Sequence, residues 1–96
     1  MSLIGWSLGA QIMARASRNV PQISSRRHIV GRLTGLDPID LGPINGLTIG
    51  RLSFSDAQFV ESIHTEGESR GDHGSVGHVS FYPNGGLVIY CFLDIY

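Results

Sequence analysis

The feature that most constrains this chain is Gly5-x-Ser7-x-Gly9, set between a short apolar run, Leu3-Ile4, and an alanine-rich segment that begins at Ala10. Glycines two residues either side of a serine leave room for a sharp turn from strand to helix, and such a turn lifts the hydroxyl clear of the backbone. Alanines at 10, 14 and 16, with Ile12 and Met13, form an apolar stripe. Arg15 and Arg18 fall near its end, where cations complement the helix macrodipole. The pattern predicts a helix from Ala10 to about Arg18, stopped at Asn19-Val20-Pro21 because proline cannot continue it.

Beyond that helix, residues 28–36 (HIVGRLTGL) are β-branched and aliphatic around two glycines and read as a buried strand broken by Asp37-Pro38. Residues 38–50 carry two prolines and three glycines without a period and read as a loop. Ser55, ahead of Asp56-Ala57-Gln58, resembles the cap of a short helical turn. The alternating run 60–65 and the segment 77–82 are strand candidates, separated by the polar, glycine-rich loop 66–75. Residues 87–96 form an apolar, aromatic tail of β character. Strand, helix, strand and further strands imply an α/β fold class with a mostly parallel sheet.

Composition narrows the function. The net charge is −1 and the seven basic residues, all arginine, are scattered apart from Arg26-Arg27. A nucleic-acid partner needs a basic excess, so none is expected. No apolar run reaches the length of a transmembrane segment, and the first five residues lack the basic region of a secretory signal. The 13 glycines in 96 residues are about twice the average share of roughly 7%. The single cysteine, Cys91, cannot form an internal disulfide.

Ser7 in its turn is a candidate nucleophile for ester or amide hydrolysis, with the Leu8 backbone N–H as one oxyanion donor at the helix start. A serine nucleophile needs a base and a carboxylate that orients it. Asp37 follows a predicted parallel strand, where open α/β sheets place catalytic groups, and Asp40 is its rival. Locally, Asp37 reads equally well as the opening of an Asp-Pro turn. Four histidines are present, but His64 and His78 sit in strand-like patterns that suit core residues, and His28 and His73 are no better placed. No histidine of this chain is assigned as the base. His64, Glu66, Asp72, His73 and His78 match no zinc or EF-hand spacing. Arg70-Gly71-Asp72 is an integrin-type tripeptide of the kind that arises by chance.

Four ordered motifs then go beyond generic chemistry: LIGWSLGA at 3–10, LTGLDP at 33–38, SDAQFVESIHT at 55–65, and Gly77-His78 through FYPNGG at 81–86. Together they resemble the pancreatic-lipase-like family, including insect lipases and phospholipases A1. The resemblance implies a partial α/β-hydrolase fold with a nucleophile-elbow helix and a mostly parallel sheet. It matches Ser7 to the nucleophile and Asp37 to the triad acid, and it expects the catalytic histidine beyond Gly86, outside this chain. His64 and His78 match non-catalytic positions. Asp56 matches one acidic calcium ligand, while Ser53 stands where calcium-binding members carry an aspartate; calcium is a candidate through Asp56 alone, and no cofactor is assigned. Ser80 replaces a common aspartate, and Cys91 is out of register.

The expectation is therefore a fragment of a lipase-type α/β-hydrolase domain over residues 1–96, with motifs in about 3–86 and a divergent tail at 87–96. The implied function is hydrolysis of carboxylic esters in triacylglycerols or phospholipids at a lipid interface, outside the cell. Without its histidine the isolated chain is expected to be inactive. A non-catalytic lipase-like binding protein or an inactive truncated product is the alternative.

Overall fold

The computed structural model describes residues 1–23, 30–40, 43–44, 47–48, 51–65 and 76–86. Strand β1 (Ser2–Trp6) runs into helix α1 (Leu8–Ile23), and β2 (Arg32–Leu36) follows. Next come two short strands, β3 (Pro43–Ile44) and β4 (Leu47–Thr48), a 3₁₀ turn at Phe54–Asp56, β5 (Phe59–Ile63), β6 (Val79–Phe81) and a second 3₁₀ turn at Pro83–Gly86. The four longer strands form one sheet in the order β1-β2-β5-β6, all parallel. β3 and β4 pair antiparallel in a separate hairpin. An α/β architecture with a parallel sheet is thus what the chain adopts.

The registers give the sheet two chemically distinct faces. Leu3 pairs with Leu33, Gly5 with Gly35, Leu33 with Val60 and Gly35 with Ser62, and these residues share one face. Helix α1 lies on that face through Ala10, Gln11, Ala14 and Ser17, which are all buried. Ala14, Leu33, Leu52, Val60 and Val76 make the core, with Leu3, Met13 and Ala57 packed at its margin. Small helix residues against small strand residues let the helix approach closely. A Cβ built on Gly5 would lie 2.4 Å from the Gly9 carbonyl oxygen, and one on Gly35 would lie 2.7 Å from a Leu52 methyl.

On the opposite face stand Ile4 and Trp6 of β1, Arg32, Thr34 and Leu36 of β2, Phe59, Glu61 and Ile63 of β5, and Val79 and Phe81 of β6. Ile4 is 67% and Trp6 71% exposed, so no described element covers this end of the face. At its centre Arg32 forks onto Glu61, with Nη2 at 2.7 and 2.8 Å from its two carboxylate oxygens and Nε at 3.0 Å from one. The Thr34 hydroxyl donates to the same carboxylate at 2.7 Å. These donors, Thr34 first and then Arg32, hold the Glu61 carboxyl below its ordinary value against the opposing effect of burial.

Several local expectations shift. Helix α1 continues to Ile23, past Pro21. Proline there removes one i→i−4 hydrogen bond and disfavours helical geometry in the preceding residue, but the loss falls on a single rung and leaves the turns before it intact. Arg15 and Arg18 are therefore not at the helix end. Ile12 and Ala16 face outward, because the 3.6-residue period carries the buried stripe through positions 10, 14 and 17. The residue that caps the first 3₁₀ turn is Ser53, not Ser55: its hydroxyl accepts from the Ser55 N–H while the Asp56 carboxylate accepts from the Ser53 N–H. The segment read as a loop carries the β3–β4 hairpin, and of the strand expected over 28–36, whose first two residues lie outside the described ones, Arg32–Leu36 is strand. The loop 66–75 and the tail 87–96, with His28, His73, the Arg70-Gly71-Asp72 tripeptide and Cys91, lie outside the described residues.

Two stability predictions follow from this packing. Gly5→Ala places a methyl against backbone and should destabilise by about 1–3 kcal/mol. Gly9→Ala, where nothing described lies within 4 Å, should be neutral or gain up to about 1 kcal/mol in the helix. Denaturant titration of both variants reads the contrast; equal effects would contradict it. The second prediction concerns pH. A carboxyl whose folded pKa is depressed stabilises the fold above its unfolded value and loses that contribution as pH falls through the folded one. The Glu61 contribution should accordingly disappear on the acid side of about pH 4.5. Glu61→Gln should flatten that part of a pH–stability curve measured by thermal unfolding.

Candidate active site

The carboxyl-terminal edge of the sheet is defined by one row of paired residues, Trp6, Leu36, Ile63 and Phe81. Ser7 and Asp37 each stand one residue beyond this row on adjacent strands, which in any sheet run about 4.8 Å apart. Both adopt left-handed backbone angles, φ 52° at Ser7 and φ 43° at Asp37. A non-glycine residue held there stores strain of order 1–3 kcal/mol and persists only where its surroundings enforce it. At Ser7 the enforcement is local. Its N–H donates to the Leu36 carbonyl at 2.8 Å, closing the strand, while its own carbonyl accepts from the Ala10 N–H at 3.2 Å, starting the helix. One residue thus ends β1 and begins α1, and Gly5 permits the approach.

Leu8 opens α1, so its N–H belongs to the first-turn donors that have no acceptor within a helix. It stands one residue after Ser7, at the positive end of the helix. Trp6 and Leu8, the two neighbours of Ser7, are 71% and 49% exposed. They flank the hydroxyl with apolar surface.

Asp37 is fastened from the next strand over. Its N–H donates to the Ile63 carbonyl at 2.7 Å. Its Oδ1 accepts from the Thr65 N–H and its Oδ2 from the Thr65 hydroxyl. This two-point grip fixes the orientation of the carboxylate. Sequence reasoning missed Thr65, since nothing marks a threonine beyond a strand as the partner of an aspartate 28 positions earlier. Asp40, the rival acid, lies farther along the chain and is exposed. Gln11 was also missed: from inside the helix interface its Nε2 donates to the Ile39 carbonyl and its Oε1 accepts from the Leu52 N–H, both at 2.8 Å. It braces the segment that follows Asp37.

The two described histidines are engaged elsewhere. His64 is 1% exposed, its Nε2 2.8 Å from the Ser62 hydroxyl and its ring stacked on Tyr82 at 4.8 Å. Ser62 and Ser80 lie 2.9 Å apart and both donate to the Val76 carbonyl, so the three side chains form a buried polar knot. His78 precedes β6, at the end of the sheet away from Ser7. Its Nδ1 accepts from the Val60 N–H at 2.9 Å, and its ring stacks on Phe59.

Asp56 does not present the geometry of a calcium ligand. Its side chain is fully buried and bound by Arg18, and Ser53 contributes an N–H donor to it. A hard cation seeks an all-oxygen shell with several carboxylates, and one seated on these oxygens would lie against the Arg18 guanidinium. Among the described residues no group of three His, Cys, Asp or Glu side chains converges on a metal position. No described helix is long and apolar enough to cross a membrane.

Comparison with known proteins gives the family. The family described as Lipase matches residues 1–89. Lipase member H of Rattus norvegicus is 46% identical over 87 residues, covering 88% of this chain and 18% of the relative. Hepatic triacylglycerol lipase of Oryctolagus cuniculus is 45% identical over 91 residues, covering 88% and 17%. Pancreatic triacylglycerol lipase of Cavia porcellus is 42% identical over 93 residues, covering 88% and 18%. The chain therefore spans less than a fifth of the length of these relatives. A strained serine between a parallel strand and its helix, with an aspartate ending the next strand, accompanies a family match along almost the whole sequence: the chain belongs to the lipase family, and its sheet and helix are part of an α/β-hydrolase fold.

Proposed function

We propose that this chain carries the nucleophile and the orienting acid of an extracellular hydrolase that cleaves carboxylic esters of lipids, either triacylglycerols or phospholipids. The observation that carries the reading is the left-handed Ser7 at the β1–α1 turn beside Asp37, with Leu8 opening the helix. The exposed Trp6 and Leu8 suit an acyl chain, and the relatives named as triacylglycerol lipases support an acylglycerol substrate.

In this mechanism the Ser7 Oγ attacks the acyl carbon as a histidine takes its proton, and the Leu8 N–H helps stabilise the negative oxygen of the tetrahedral intermediate. Collapse breaks the ester C–O bond, and the histidine returns the proton to the departing alcohol. Asp37, held by Thr65, orients the imidazole and stabilises its protonated form. Water then releases the fatty acid from Ser7 by the same two proton transfers. Neither His64 nor His78 is placed for this role, so the base comes from outside the described residues.

The test is fluorophosphonate labelling of this chain beside a form extended at both ends into the remaining lipase domain. Labelling of Ser7 in the extended form only, abolished by Ser7→Ala, is the expected result; no labelling of either form would sink the proposal. In the extended enzyme Asp37→Asn should lower kcat by about 10⁴ with a short-chain ester. Thr65→Val should lower kcat by about tenfold at little change in KM, a loss of ~1.4 kcal/mol in transition-state stabilisation.

A further inference from the structure

The 51–56 segment, between the hairpin and β5, gathers oxygen acceptors in a small space. Asp56 Oδ1 and Oδ2, the Asp56 carbonyl and the Arg51 carbonyl all point to donors supplied by α1. Arg18 supplies most of them. Its Nε lies 2.5 Å from Asp56 Oδ1, and its Nη2 lies 2.9 Å from Oδ2 and also donates to the Arg51 carbonyl. Ser17, the neighbouring helix residue, donates its hydroxyl to the Asp56 carbonyl. The Ser53 N–H completes the Oδ2 shell at 2.7 Å, inside the capping box.

Charge decides what this cluster can hold. Asp56 has a side chain with no exposed surface, and it contributes one negative charge, which the Arg18 guanidinium neutralises. From residue 41 to residue 55 the chain carries no Asp or Glu. A divalent cation here would lie beside a guanidinium, with Asp56 the one carboxylate in the cluster among the described residues, so the ion would be repelled by one and only half neutralised by the other. Arginine also suits the acceptors better than a point charge: its planar fork meets two carboxylate oxygens and a carbonyl together.

We infer that Arg18 is the resident cation of the 51–56 segment, a side-chain substitute that binds α1 to the approach to β5 and makes that segment independent of calcium. Arg18 does for these oxygens what an ion would do, from a helix already fixed by the core. Arg18 lies outside the Ser7 and Asp37 constellation, so this inference stands apart from the proposed ester hydrolysis.

Calcium titration by calorimetry, together with thermal unfolding of the chain in millimolar calcium and in EDTA, tests it. The unaltered chain should give no calcium-binding heat and the same Tm in both media. Arg18→Gln should lower Tm by about 4–8 °C, and calcium should not restore it. Arg18→Gln combined with Ser53→Asp should acquire calcium-binding heat and a Tm that calcium raises by several degrees, whereas Ser53→Asp alone should not. Calcium binding by the unaltered chain or by Ser53→Asp alone would overturn the inference, as would an Arg18→Gln chain with unchanged Tm or a double variant that ignores calcium. The unaltered chain and Ser53→Asp keep Arg18, so they remain informative if the Arg18 variants do not fold.

Discussion

The arrangement depends on how closely α1 approaches β1. A helix that starts one residue after its strand must cross back over that strand at once, and only a residue without a side chain fits beneath it. Gly5 is that residue, with backbone of Gly9 and Ala10 within 2.6 Å of where a Cβ would be. From this contact follow the left-handed Ser7, the alanine-lined helix face, and the location of Leu8 at the head of the helix. The strain at Ser7 is a local cost offset by packing spread over the core. Such strain at a reactive residue is a common trade between stability and chemistry.

Around this crossing, polar side chains fix the segments that connect the strands. Gln11 reaches the chain on both sides of the hairpin, Arg18 and Ser17 hold the 51–56 segment, and Thr65 holds Asp37. Their partners lie between 28 and 41 positions away in sequence. Each bond taken alone contributes modestly, but removing one partner of a buried set leaves the other unsatisfied, which is the larger penalty. In the Arg18–Asp56 pair the carboxylate is buried while the arginine side chain is 31% exposed, so loss of the arginine leaves a buried charge without its counterion. The Arg18–Asp56 pair therefore binds α1 to the sheet in a way that tolerates little substitution.

What was legible in the sequence was what short-range pattern encodes. Leu3-Ile4 before Gly5-x-Ser7-x-Gly9 read as strand, turn and helix, and the β-branched run ending at Asp37 read as the neighbouring strand. The order of four motifs gave the family, which the match over residues 1–89 bears out. The helix limit was not legible, because proline is a stop signal in sequence and α1 runs two residues past Pro21 at the loss of one ladder hydrogen bond. The cap was set at Ser55 because a serine before an aspartate resembles one; Ser53 takes the role because Asp56 falls three residues beyond it, as a reciprocal cap requires. Thr65, Gln11 and Arg18 were illegible for a different reason. Their roles exist only once distant segments have been brought together, and no local period records that. The glycine pair flanking Ser7 looked symmetrical in sequence and is not: Gly5 is sterically required, while Gly9 faces open space among the described residues.

Close packing of α1 on β1 forces Ser7 into a conformation an L-residue resists. Comparison of Ser7→Gly with Ser7→Ala by denaturant unfolding tests it most directly, since both lose the hydroxyl and only glycine is at ease at φ 52°. Ser7→Gly should be more stable than Ser7→Ala by about 1 kcal/mol. Equal stabilities, or greater stability of the alanine variant, would contradict it.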